Sequence, residues 1–319
     1  MNQPAALAYP VLQAAGIQAG HIAHLWWVFL VVLSAVYLAV LVALVASIAR
    51  RRGAAVEGAG EQGPARAVAV SVGLTVLILL GLFGGSVATG RALGTLGEVA
   101  GEPLSIKVIG HRWWWELQYQ NHDVSQMVTT ANELHLPVGQ PVQLTLESRD
   151  VIHSFWVPAL HGKRDLIPGY QNVIAVRADA PGVFAGRCAE FCGAQHANMG
   201  LTVVAEPPDA FAAWLAAQRA PAAQPPTAAA ARGRDVFLRS ACPLCHHLGG
   251  TRAFGMLGPD LTHFGSRRAL AAGALVNDAG PLEAWLGDPQ TIKPGNHMPI
   301  VALRPEDRRD LVAYLEALK

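Results

Sequence analysis

Apolar positions change their period along this chain, and each change marks an expected element. From Met1 to Ala49 there is no Lys, Arg, Asp or Glu, and LWWVFLVVLSAVYLAVLVALVASIA, residues 25–49, is apolar on every side. A second uncharged run, AVAVSVGLTVLILLGLFGGSVATG, fills residues 67–90. About 20 apolar residues in a helix cross a hydrocarbon layer of ~30 Å. Residues 25–91 are therefore expected as a transmembrane hairpin with spans at 25–49 and 67–90, preceded by an outer segment, 1–24. A cleaved signal peptide is the rival for the first span, but it wants a positive start and a shorter apolar stretch than MNQPAALAYPVLQAAG introduces.

After residue 92 the period falls towards two. LSIKVIG, NELHLP, PVQLTLES, VIHSFWVP, QNVIAVRA, VFAGRC and LTVVAE are separated by turn signals such as PVGQP, IPGY and DAPG. Short strands at this spacing predict an all-β Greek-key domain over 92–206. Residues 207–231 combine a short helix, DAFAAWLAAQ, with the tract APAAQPPTAAAA, which reads as a semi-stiff linker. From 232 to 319 the pattern is helical, and the closing helix PEDRRDLVAYLEALK opens with Pro305, Glu306 and Asp307 in its first turn. The expected fold class is multidomain: a two-helix transmembrane hairpin, an all-β domain and an all-α domain.

Composition adds orientation. The 319 residues are 52% hydrophobic and 15% charged, an apolar excess that the two spans explain. A net charge of +1 leaves no basic stripe for phosphate, so nucleic acid is excluded as a partner. Between the spans stand Arg50, Arg51, Arg52 and Arg66 against Glu57 and Glu61. The positive-inside rule puts that loop in the cytoplasm, with both termini and the soluble domains outside, in the periplasm of a bacterial inner membrane. Trp26 and Trp27 then fall in the outer interfacial belt, against lipid.

The four cysteines fall as one pair per outer domain. In an oxidising compartment two short-loop disulfides are one reading, making the outer domains a non-redox binding or assembly module. CPLCH, Cys242 to His246, matches the c-type haem attachment pattern, in which two thiols bond the porphyrin and the histidine ligates iron. A redox dithiol or half a zinc site is the alternative. Met298 in GNHMP is the candidate second axial ligand, with His247 and His297 as rivals. In RCAEFCGAQHANM, Cys188, Cys192 and His196 follow at four-residue spacing and Met199 comes three later, while His153 in RDVIHSFWVP offers a further imidazole. Two thiols and two imidazoles alone read as structural zinc, but a thioether is a poor zinc ligand and a good copper one.

HSFWVP followed by CAEFCGAQHANM resembles subunit II of cytochrome c oxidase, whose cupredoxin domain holds a dinuclear copper centre, CuA. GPDLT and WLGDPQTIKPGNHMP resemble a small class I cytochrome c, so nearly the whole chain resembles the subunit II of a caa-type haem-copper oxidase. That resemblance implies that Cys188 and Cys192 bridge two copper ions and that His153 and His196 each ligate one. It gives Met199 as a weak ligand of one ion and the carbonyl of Glu190 as a ligand of the other. The Glu190 side chain would help hold Mg²⁺ at the contact with subunit I. GHRWWWELQY resembles the aromatic segment beside that copper site, which makes Trp113 the electron-entry residue. Asp150 and Asp165 would face subunit I or a donor.

The implied function is electron input to a respiratory terminal oxidase, with haem c held by Cys242, Cys245, His246 and Met298. A cytochrome c-type donor, subunit I, where oxygen is reduced, and subunit III are the implied partners. A CuA-bearing subunit of a nitric oxide reductase is the alternative within the same chemistry. One departure is the missing glutamate at the start of the second span, which puts proton entry through this chain in question. Finally, residues 102–206 carry ten acids and seven bases, whereas 230–319 carry nine acids and eleven bases. These opposite signs suit transient docking of the haem domain on the copper domain.

Overall fold

A computed structural model describes residues 11–51, 62–95 and 103–319. Two long helices come first, α1 (Ile17–Arg51) and α2 (Gln62–Thr95). Their apolar side chains face outward on all sides: Val31, Val42, Leu77 and Phe83 are 65%, 68%, 68% and 67% exposed. Such surface is stable only in an apolar medium. Ile17–Arg50 and Gly63–Gly94 are long and apolar enough to cross a membrane, with mean hydropathy 3.0 and 2.4. At 1.5 Å per residue each is about 50 Å long, so the helices overrun the expected spans at both ends. The segment expected as 1–24 is thus already helical from Ile17: IQAGHIAH contains no proline, and Gly20 is carried within the helix. Arg52, Glu57 and Glu61, on which the orientation argument leaned, lie outside the described residues.

Gly20–Leu96 forms one unit and the remainder of the chain another. In the second unit the alternating stretches become β1 (Leu104–His111), β2 (Trp114–Tyr119), β3 (Val128–Ala131), β4 (Glu133–Pro137) and β5 (Val142–Ser148). They continue as β6 (His153–Trp156), β7 (Arg164–Leu166), β8 (Asn172–Val176), β9 (Gly182–Cys188) and β10 (Gly200–Glu206). Two five-stranded sheets result, ordered β3-β2-β1-β5-β8 and β4-β10-β9-β6-β7. Only β1 with β5 and β4 with β10 pair in parallel, as strands do when the chain crosses between sheets instead of turning back in a hairpin.

Alternation in sequence becomes alternation in burial. Val142, Leu144 and Leu146 are fully buried, while Gln143 and Thr145 between them are partly exposed. Across the sandwich Trp115 of β2 meets Phe155 of β6 edge-on at 6.3 Å, tying the sheets together. β4 is buried along its whole length because α3 (Pro208–Gln218) covers its outer face, with Trp214 stacked on His135 at 3.9 Å. The N-terminal stretch joins the same body: Ala15 N–H donates to Ala159 O, and buried Gln18 donates to Ala175 O.

The C-terminal domain packs α4 (Ala228–Arg239), α5 (Cys242–Cys245), α6 (Ala279–Gly287), α7 (Pro289–Ile292) and α8 (Pro305–Ala317), with two short two-stranded ladders in its loops. α4 and α8 cross backbone to backbone at Gly233, where a Cβ would fall 2.0 Å from Asp310 O. Thr227 caps α4 by accepting from Ala230 N–H, so the last alanines of the expected linker belong to that helix. The rest of the Ala/Pro tract is pinned to the C-terminal domain. Ala222 N–H donates to Gly249 O, and His263 Nε2 bonds Ala220 O.

Truncating the sandwich core at Leu144→Ala is expected to cost about 2–5 kcal/mol. A urea titration followed by fluorescence should show a lower midpoint for the β domain at unchanged slope.

Candidate metal centre and the CPLCH site

β9 and β10 pair with Arg187 opposite Gly200, and Cys188 N–H donates to Met199 O at 3.0 Å. The intervening loop is thereby closed into a bend whose side chains turn inward. β6 lies on the other side of β9, with Phe155 opposite Cys188, which brings His153 to the same point. His153 is fully buried. It fits because β1 offers Gly110 beneath it: a Cβ there would lie 2.8 Å from His153 Cδ2.

Six donors converge. Cys188 Sγ lies 3.7 Å from Cys192 Sγ, 3.8 Å from His153 Nδ1 and 3.2 Å from Glu190 O. Cys192 Sγ lies 3.6 Å from His196 Nδ1 and 3.9 Å from Met199 Sδ. A disulfide requires sulfurs about 2.05 Å apart, so this pair is two free thiols, as are Cys242 and Cys245. The disulfide reading of the four cysteines is thereby corrected. His153, Cys188 and Cys192 present their ligand atoms within 4.8 Å of one another. Two thiols, two imidazoles, a thioether and a carbonyl form a soft, mixed donor set suited to copper and larger than a tetrahedral zinc site can use.

Electrostatics prepare the donors. His153 Nε2–H donates to Asp150 Oδ1 at 2.8 Å, which leaves the Nδ1 lone pair facing the sulfurs. Burial alone would lower the His153 pKa, but hydrogen bonding to Asp150 and Cys188 outweighs it and raises the value. Asp150 answers in kind. Burial opposes its charge, yet bonds from His153, Val151 N–H and Arg112 N–H hold its carboxyl down to about 2. The hydrogen bond between the thiols pulls the Cys188 pKa down and pushes that of Cys192 up, so the first proton leaves readily and the second is held. Asp150 thus holds His153 while its side chain stays 19% exposed.

The three consecutive tryptophans separate by role. Trp115 is core, and Trp114 stacks on His111 at 4.3 Å. Trp113 alone joins the ligand loop: its Nε1–H donates to Cys192 O at 2.9 Å. It belongs to the β-domain core at 7% exposed, with Gly193 of the loop and Gly295 of the C-terminal domain against its ring. Lys293, 3% exposed, donates from Nζ to Trp113 O at 2.7 Å and to Ala271 O at 3.0 Å. Burial pushes its pKa down to about 7, opposed by the nearby Cys192. Neither Lys293 nor Asp150's grip on His153 was foreseen from sequence. Lys293 carries one weak signal, its place in IKPGNHMP five residues before Met298.

In the C-terminal domain Cys242 and Cys245 bound α5, and His246 follows it. His246 Nδ1–H donates to Pro259 O at 2.7 Å, leaving Nε2 free to ligate. Burial lowers its pKa and favours the neutral ring that binds metal. Gly258 gives the ring room, since a Cβ there would stand 2.8 Å from His246 Cε1. Met298 is half-buried, and Gln290 and Asn296 hold its backbone. His247 is turned to Asp260 at 2.6 Å and His297 is exposed. Leu244, Met256, Leu257 and Ile300 are 74%, 79%, 78% and 58% exposed in this domain, apolar surface that a flat hydrophobic group such as a porphyrin would cover.

These features define a chain that joins a cupredoxin-like sandwich bearing a thiol–imidazole cluster to a cytochrome c-type domain. Residues 121–206 match the family model described as cytochrome c oxidase subunit II, periplasmic domain, and residues 230–319 match that of cytochrome c. The chain thus joins a region similar to the periplasmic domain of cytochrome c oxidase subunit II to a region similar to cytochrome c. It is 43% identical over 223 residues to cytochrome c oxidase subunit 2 of Alkalihalophilus pseudofirmus, covering 70% of this chain and 63% of that protein. To the protein of the same name from Bacillus subtilis it is 31% identical, covering 70% and 64%. The chain therefore spans less than two thirds of the length of these relatives. A solved periplasmic domain of subunit II of cytochrome oxidase from Bradyrhizobium japonicum is 28% identical, covers 38% of this chain and 97% of that one, and superposes with a TM-score of 0.35.

Asp150→Asn keeps the shape of the His153 partner but removes its charge. Whatever soft metal the cluster holds is expected to bind about 10–100-fold more weakly, as read by competition with a chelator of known affinity.

Proposed function

We propose that this chain is the electron-input subunit of a respiratory terminal oxidase: it takes electrons from a cytochrome c-type donor outside the membrane and passes them towards an oxygen-reducing site in subunit I. One observation carries the reading. Cys188, Cys192, His153, His196, Met199 and the Glu190 carbonyl surround one point, with the thiols free and the imidazole Nδ1 atoms turned inward. When bound, a dinuclear copper centre there and a haem c in the C-terminal domain supply one-electron acceptance and release.

The chain's own residues do the rest. Cys188, Cys192, His153 and His196 would hold the copper, with Met199 and the Glu190 carbonyl as weaker donors. Asp150 fixes the His153 tautomer. Sulfur atoms inside a packed sandwich move little, so the site reorganises little when its charge changes. Trp113, bonded through its indole to Cys192 O, serves as the entry residue on the donor side. In the C-terminal domain Cys242, Cys245, His246 and Met298 would hold the haem. The Glu190 side chain, half-exposed at the loop edge, would share a Mg²⁺ ion with subunit I. Subunit III completes the complex. The hairpin anchors the chain in a bacterial inner membrane with both soluble domains on the periplasmic side.

Protein made with haem-maturation machinery and copper should show a c-type reduced-minus-oxidised spectrum and the paramagnetic resonance of a mixed-valence copper pair. Met199→Leu should keep the copper and shift its potential, whereas Cys192→Ser should lose the paired signal. Equal copper loss in both variants would contradict the ligand roles, and a complex that reduces nitric oxide but not oxygen would contradict the oxidase assignment.

A further inference from the structure

The contact between the two soluble domains is built like a core, which the expectation of a transient, charge-steered encounter did not anticipate. Lys293 reaches from the C-terminal domain to Trp113 O, and its second bond, to Ala271 O, ties the same ammonium to its own domain. No ion pair accompanies Lys293 among the described residues, so carbonyl oxygens satisfy a cation that is 3% exposed. Next in the chain, Pro294 O accepts from Gln195 Nε2 of the ligand loop at 2.8 Å. Gly295 then packs on the indole, with the position of a Cβ only 3.7 Å from Trp113 Cη2. Elsewhere on the contact Gly200 N–H donates to Ala272 O at 2.8 Å, and Arg268 N–H donates to Glu133 Oε2 at 3.0 Å. Buried Arg267 reaches Thr130 Oγ1 at 3.3 Å.

We propose that Lys293 is a positioning residue that locks the C-terminal domain onto Trp113, so that the domain works as a fixed bridgehead and not as a tethered shuttle. Lys293, Pro294 and Gly295 lead in five residues to Met298, so a single short segment spans from the indole to the candidate haem ligand. Buried beneath that segment, Trp113 is closed to an outside donor, which must meet the C-terminal domain first. The polar bonds around Lys293 cannot exchange for water without opening the whole contact, because an ammonium left unpaired in that setting is strongly disfavoured.

The inference rests on the electron-input reading for its purpose but not for its main test. Hydrogen–deuterium exchange on the full chain reads the Gly200 and Arg268 amides, both bonded across the contact. In Lys293→Met, which keeps the stem and loses the donors, these amides are expected to exchange at least about ten-fold faster, while amides in the cores, such as Leu144 of β5 and Val312 of α8, stay unchanged. In the loaded complex, flash-initiated electron equilibration between haem and copper is expected to slow by a similar factor with both optical spectra unaltered. Continued protection of Gly200 and Arg268 in the variant would overturn the proposal. So would equal acceleration of interface and core amides, which would make Lys293 a residue of the domain's own fold. A chain lacking copper and haem signals altogether would defeat the electron-input reading and leave the exchange result standing.

Discussion

The hydrogen bond from Cys188 N–H to Met199 O closes the bend between β9 and β10, and the metal centre hangs on that closure. Its register makes Cys188 the last residue of one strand and places Met199 just before the next. Ten intervening residues must then turn within the width of one strand pair, so Cys192, His196 and the Glu190 carbonyl point inward. β6 supplies the missing imidazole only because it pairs with β9 in the same sheet. β1, in the other sheet, supplies the glycine that lets the imidazole in. Both sheets therefore serve one site, and the Trp115–Phe155 contact that holds them together lies beside it.

Charge is managed around that site by pairing each buried ionisable group with a specific partner. Asp150 sets the tautomer of His153 and is itself held ionised by two backbone amides. Lys293 lacks a carboxylate partner among the described residues and rests on two carbonyls, beside the thiols. A buried ammonium is costly, on the order of several kcal/mol before its hydrogen bonds are counted. Its retention at a contact between domains argues that the contact matters more than the stability of either part. The indole of Trp113 sits between these arrangements, bonded to the ligand loop and covered by the C-terminal domain.

Much of this was legible before any fold was known, because some chemistry is written locally. The c-type haem pattern needs only neighbouring residues, so Cys242, Cys245 and His246 were readable at once, and burial of His246 against Pro259 agrees with that reading. The loop ligands share one short stretch, and soft-donor chemistry narrowed them towards copper. Strands announced themselves through alternation, as in VQLTLES of β5. The linker misled, because an Ala/Pro tract builds no core of its own and its backbone bonds to Gly249 and His263 leave no trace in composition. Charge balance misled in a related way. It registered that the two domains differ in sign but could not distinguish a salt-screened encounter from a dry contact.

Periodicity and ligand chemistry, both properties of short stretches, pointed to the two apolar helices, the alternating strands and the candidate donor atoms. Folding alone decided which distant groups meet: Asp150 with His153, Gly110 under the same ring, and Lys293 with the Trp113 carbonyl 180 residues away. The reason is physical. A side chain's intrinsic chemistry travels with the residue, whereas its tautomer, its charge and its reach depend on which strand lies next to it and how much water is left between them.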